Sequence, residues 1–537
     1  MNTAERTHNL LVVSDMHMAE GIIAEEGDTA YGHDAFLYDG AFARFLRYHE
    51  RLRREAKARV QAREEAGTAG DAADDQDRPL TRPWRLVIAG DFIDFWDIVR
   101  VPRSLEALRT AIEERKEHGP EKVSDWLTWQ QQIYPVLAPP AQGSPAPGQA
   151  AGATQPLTYP EIRDSLDALD LADGPLRRAL EELAWWIQVL VGKADNGYKL
   201  TKREKLHGLG STWQEVVWKL TQIYRGHREL FAGLAWFIAC GNEVRLMKGN
   251  HDLELYWPVV HSDHFAHILA DAYRDVRAGL AAGASFYEVP LLSLQALPAP
   301  SAFEDSLSSH LFFDDWFYHE KDLVYIEHGN QYEPADSSIS FLNPIWPGDP
   351  AKARLELPWG YFMVRYLYNK IVAIHPFAVN IKPEQRIIQW MIDHDFFRIL
   401  GIILVALPDL LVAVGRAVRQ GFRAGWIWGD RSLMGLLRLF LFDLISLFGF
   451  EAAKRAVEIR EEHERKRRAL ASVLAPYPPP ASSDGEVEGR ERTPRLKRGY
   501  LLLNVALYGL ALALAAGLGV ALVAYLATRV WPVELVP

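Results

Sequence analysis

The sequence predicts an α/β protein. Short apolar runs rich in Val, Ile and Leu lie far apart along the chain and read as buried strands. Stretches with helical patterning separate them. Each run ends in residues able to hold a metal, and α/β sheets collect ligands at the carboxyl ends of their strands. The 537 residues are enough for roughly two to four domains, and a hydrophobic content of 49% supports a large core. The net charge of −11 argues against a surface for long nucleic acids. Cys240 is the one cysteine, so an internal disulfide and a cysteine zinc site are both excluded. Residues 1–9 lack the apolar run of a signal peptide, which predicts that the start of the chain stays in the cytoplasm.

The first strand is Asn9 to Ser14, ending in Asp15-Met16-His17. Strand alternation would put Asp15 and His17 on one side, as two ligands require. Gly32-His33-Asp34 follows and reads as a surface loop or a group near substrate. Residues 41–65 read as a helix with Phe42, Phe45, Leu46 and His49 inward and a solvated charged face. Residues 66–82 read as an exposed loop. The second strand, Trp84 to Ala89, ends in Gly90-Asp91-Phe92-Ile93-Asp94, where the glycine permits close backbone approach.

Residues 101–224 form an insertion with a Pro-, Ala- and Gly-rich linker at 135–160. Its second half is helical in pattern and carries Trp185, Trp186, Trp213 and Trp218, which suits either a lid or a packing subdomain. The third strand, Glu243 to Met247, feeds Lys248-Gly249-Asn250-His251-Asp252. His261, His264 and His267 recur at i, i+3 and i+6, without the acid of a zinc-protease pattern. A fourth apolar strand, Leu323 to Ile326, ends in Glu327-His328-Gly329-Asn330-Gln331.

Over Asn9 to Asp336, these motifs in this order resemble the calcineurin-like metallophosphoesterase superfamily. Asp15-Met16-His17 is similar to its D-x-H motif, Gly90 to Asp94 to G-D-x-x-D, and Gly249 to Asp252 to G-N-H-D. His328 is similar to its lone histidine. The apolar strand followed by His-Gly has the flavour of the UDP-diacylglucosamine pyrophosphatase branch, which acts on a lipid-linked substrate at a membrane. The closing G-H-x-H motif is absent. Either Asn330 stands for its second histidine, with His310 or His319 as the lone one, or His375 or His394 supplies the last ligand.

The resemblance implies a four-layer β-sandwich flanked by helices, built from residues 1–100 and 225–340. It also implies two divalent ions, Mn²⁺ first with Fe or Zn²⁺ as alternatives. Asp15 and His17 would hold one ion, Asn250 and His328 the other, and Asp91 would bridge them. Two such ions, about 3.5–4 Å apart, offset phosphoryl charge and activate water. His251 would deliver a proton and Asp252 would orient it. Asp94 would be structural or would support the ligands. The implied activity is hydrolysis of a phosphoester or pyrophosphate, lipid-linked or nucleotide. A membrane-tethered binding protein on a decayed phosphoesterase fold is the rival reading.

Residues 341–470 are aromatic-rich and then apolar, with Pro408, Asp409, Arg438 and Asp443 interrupting the runs at 400–414 and 433–450. Amphipathic helices at a membrane interface are the first reading of those runs. Residues 471–498 read as a flexible linker. Leu501 to Ala527 is then 27 residues without a charge, within an expected transmembrane helix over 499–530. Arg490, Arg492, Arg495, Lys497 and Arg498 precede it, which predicts a cytoplasmic catalytic domain on an inner or plasma membrane.

Overall fold

The computed structural model describes residues 7–375 apart from 22–33, 35, 67–75, 117–118, 120, 134–158, 173, 192–199, 284–293, 334–335, 339 and 346–352. It also describes 378, 390–391, 394–395, 397–398, 401–402 and 412. The expected interfacial helices therefore fall almost wholly outside the described residues, and the linker and transmembrane helix wholly so. Among the described residues, no helix is long and apolar enough to cross a membrane.

The protein is a mixed α/β structure built on a parallel sheet. Strands β1 (Asn9–Val13), β2 (Trp84–Ala89), β3 (Glu243–Met247) and β4 (Leu311–Asp314) lie in the order β1-β2-β3-β4. All three pairings are parallel, so each link must cross over the sheet. Helix α1 (Asp39–Glu65) makes the first crossover. The second runs through α2 (Leu105–Lys116), α3 (Glu121–Ile133), α4 (Tyr159–Asp167), α5 (Pro175–Val191), α6 (Lys202–His207), α7 (Trp213–Gly226) and α8 (Arg228–Ala239). The third uses α9 (Phe265–Ala281) and α10 (Pro300–His310).

Strand alternation sorts the two faces of this sheet. Leu11, Leu86, Ile88, Val244 and Leu246 join a core shared with α1, α8 and α9. Leu10, Val87, Ala89 and Met247 pack instead against Tyr318, Val324 and Ile326. Those three residues belong to an antiparallel hairpin of β5 (Phe317–Glu320) and β6 (Val324–Glu327). The run read as the fourth apolar strand is therefore a strand of a second sheet. The fourth place is taken by β4, only four residues long and directly after α10. Of the four layers implied by the resemblance, the described residues form three: helices, parallel sheet and hairpin.

Two expectations about charge are corrected by burial. On α1, Glu50 and Arg53 are buried, not solvated. Arg53 donates to Glu50 and to the Cys240 carbonyl, each at 2.7 Å, and Asn242 donates to Glu50 at 3.0 Å. Asp34 is likewise no surface group: it accepts from the Gly21 amide at 2.8 Å and pairs with His227 at 2.6 Å.

The insertion shares the main core through residues such as Leu108, Ile112, Ile162 and Trp186. The segment after residue 340, expected to be separate, also joins it. Leu355 and Tyr361 lie in the same core, α11 (Trp359–Met363) leads through a π-helical turn, Val364–Tyr368, into α12 (Asn369–Val372), and Arg365 donates to the Gly208 carbonyl at 2.7 Å.

Candidate metal centre

The site begins where β1 and β2 stop. Beyond Val13 the chain leaves extended geometry, so Asp15 and His17 do not share a strand face. Their backbone amides donate to the Gly90 and Asp91 carbonyls at 3.1 and 2.9 Å. Asp15, His17 and Asp91 all have left-handed φ, at 55°, 49° and 51°. That region is costly for residues with a Cβ, and its use by three such residues in one place marks a backbone held by its surroundings.

Two glycines make the crowding possible. Gly90 has φ +87°, and a Cβ there would sit 2.5 Å from the His328 ring. A Cβ on Gly249 would come within 2.1 Å of Asp91 Oδ1. The same Asp91 oxygen accepts from the His251 amide at 3.0 Å.

These contacts gather two groups of donors around one carboxylate. His17, Asp91 and His251 form the first, and Asp15, Asp91 and His328 the second, each with donor atoms within 4.8 Å of one another. His17 Nε2 lies 3.5 Å from Asp91 Oδ2, and His328 Nε2 lies 3.2 Å from it. His328 Nδ1 faces the Ala89 carbonyl at 3.0 Å, which turns Nε2 toward Asn250 Oδ1, 3.2 Å away. Sharing of Asp91 follows the expected pattern, but Asp15 groups with His328 and His17 with His251. This mixed oxygen and nitrogen set suits Mn²⁺, Fe or Zn²⁺.

Asp94 organises the histidines. Its Oδ2 lies 2.7 Å from His251 Nδ1 and 3.2 Å from His17 Nδ1, while Oδ1 accepts from the Trp96 and Asp97 amides at 3.0 and 3.2 Å. Asp252, expected to orient His251, is fully buried and accepts from the amides of Phe92 at 2.8 Å and Gly249 at 2.6 Å. It shapes the turn, and the orienting bond comes from Asp94. The nearest sequence signal was the second acid of Gly90 to Asp94; nothing in the linear order links it to His251.

The charges reinforce one another. Burial opposes ionisation of Asp94, but the His251 charge and the bonds from both histidines hold its carboxyl far below the usual range. Burial also opposes charge on His251, yet Asp94 lifts it to about 10. His328 is raised against burial to about 9 by its bond to Asp91 and that group's charge. Burial lifts Asp252 to about 7, with the Asp91 charge adding to it.

Asn330 is buried and donates to the Asp336 carbonyl at 3.1 Å. The remaining histidines have other partners. His310 contacts the Ser306 carbonyl at 3.0 Å, His319 is exposed on β5, His375 lies 3.4 Å from Asp395, and His394 contacts the Trp390 carbonyl at 2.9 Å. His261 and His264 contact the Leu255 carbonyl at 2.8 Å and Thr221 at 2.9 Å, and His267 lies 3.6 Å from Asp167 and Asp271. No family model matches the chain, and neither a curated protein nor a solved structure matches it.

Proposed function

We propose that this chain is a metal-dependent hydrolase of phosphoester or pyrophosphate bonds, of the calcineurin-like metallophosphoesterase type. The observation that carries the reading is Asp91 shared by two histidine-containing donor groups, with Asp94 bound to His251 of the first. Asp15, His17, Asp91, Asn250 and His328 would hold two divalent ions, Mn²⁺ first. Bound ions of this kind offset phosphoryl charge and lower the pKa of water. His251 Nδ1 is engaged by Asp94 at 2.7 Å, and the Asp94 charge favours the protonated ring. It would stabilise the phosphoryl group and pass a proton to the leaving oxygen.

A lipid-linked substrate and a membrane position, with the catalytic domain on the cytoplasmic side, are supported by the uncharged stretch Leu501 to Ala527 and the basic residues before it. A nucleotide is the alternative substrate class. A binding role on a decayed site is favoured by one observation: none of the other histidines proposed from the sequence joins the two donor groups among the described residues.

The test is metal content and hydrolysis of bis-p-nitrophenyl phosphate on one detergent-purified sample with added Mn²⁺. We expect two ions per chain and Mn²⁺-stimulated hydrolysis, both lost in Asp91→Ala. His251→Ala should retain metal and slow turnover of an alkyl phosphodiester, whose leaving alkoxide needs a proton, by about 10²-fold. Metal-free protein without hydrolysis would favour the binding reading.

A further inference from the structure

We propose that the segment after the core, through Tyr361 and Asn369, sets the position of His251 by holding Trp96. The inference rests on the reading of His251 as a proton donor. Trp96 is buried, and its indole stacks on the His251 imidazole with ring centroids 3.8 Å apart and planes at 26°. The Trp96 amide donates at 3.0 Å to Asp94 Oδ1, and His251 is bound to the other oxygen of that carboxylate. Platform and orienting acid are thus fixed to one another. His17 adds an edge-on contact with the imidazole at 4.5 Å.

Trp96 is itself held from far along the chain. Asn369, buried on α12, donates to the Trp96 carbonyl at 2.9 Å. Tyr361, on α11, meets the indole edge-on at 5.8 Å and 81°. Between these two residues, Arg365 anchors the segment at the Gly208 carbonyl. An aromatic face stacked on the imidazole restricts its tilt. A proton donor displaced by about 1 Å loses on the order of 10²-fold in rate. Trp96, Tyr361 and Asn369 are therefore positioning residues, and proton delivery depends on how the segment 359–372 is seated.

The test separates positioning from general damage by varying the leaving group. A p-nitrophenolate leaves with little help from an acid, whereas an alkoxide needs the proton. In the full chain in detergent with Mn²⁺, Trp96→Leu and Asn369→Ala should cut kcat on alkyl phosphodiesters by about 10- to 100-fold. Bis-p-nitrophenyl phosphate turnover, KM and metal content should change little. Trp96→Phe, which keeps a ring under His251, should restore most of the alkyl-ester rate. Equal losses on both substrate types would overturn the proposal.

A second readout does not depend on turnover. With ¹⁵N-histidine labelling, the His251 Nδ1 proton should exchange with water faster in both variants than in the wild type. Unchanged exchange in both would overturn the positioning role even in an active enzyme. Faster exchange in a chain that hydrolyses nothing would support it while removing the hydrolase reading.

Discussion

At the scale of single residues, the centre depends on what is absent as much as on what is present. Gly249 leaves room for Asp91, so Gly249→Ala should push the shared carboxylate aside. We expect metal content and hydrolysis to fall together, with circular dichroism unchanged; full metal content would show that the crowding relaxes elsewhere. Asp94 and Asp252 should separate into different kinds of damage. Asp94→Asn replaces the carboxylate that orients His251 and should slow turnover of an alkyl phosphodiester by about 10²-fold. Asp252→Asn disturbs two buried amide bonds and should cost roughly 1–3 kcal/mol of stability, read by denaturant unfolding. The motifs made Asp15, His17, Asp91, Asn250 and His328 legible, because ligand residue types cluster after apolar runs. The partner of His251 was not legible. Asp252 is its neighbour in sequence, whereas Asp94 is 157 positions away and is brought close only by the pairing of β2 with β3.

At the scale of elements, His227 works as a pin. It sits between α7 and α8 and lies 2.6 Å from Asp34 and 2.8 Å from Asp39, the first residue of α1. Burial disfavours its charge, but the hydrogen bonds it donates to both acids raise it from 6.5 to about 9. A raised value means that the protonated form stabilises the fold. That contribution is full below the unfolded value and is lost as pH rises through the folded one. Unfolding free energy should therefore fall between about pH 6.5 and 9, by on the order of 3 kcal/mol relative to His227→Gln. Parallel pH slopes for the two proteins would refute the pin. Among the elements, β1, β2 and β3 were readable as apolar runs far apart. The strand β4 was not, since four residues directly after a helix carry no turn signal. The run at 323–326 was readable as a strand, but period and composition cannot say which sheet a strand joins.

At the scale of the whole molecule, the sequence separates the core that carries the candidate metal site from the uncharged stretch at 501–527. If Leu501 to Ala527 spans a bilayer, the full chain should stay in the membrane pellet through an alkaline carbonate wash, and a chain lacking 499–530 should be released. Retention of the shortened chain would assign anchoring to 341–470. The sheet order carries a different consequence, for synthesis. β1 pairs with β2, β2 with β3, and β3 with β4, so each strand's next partner is the next strand of the sheet to be synthesised. The donor set runs from Asp15 to His328, 313 positions apart by subtraction. At about 5–20 residues per second the ribosome needs roughly 15–60 s to cover that distance. The insertion helices emerge during that interval, ahead of β3 and the Asn250–His251 turn. A nascent chain thus holds Asp15 and His17 long before the second donor group exists. On the proposed reading, the full donor set exists only after His328 has emerged and the hairpin that ends beside it has closed.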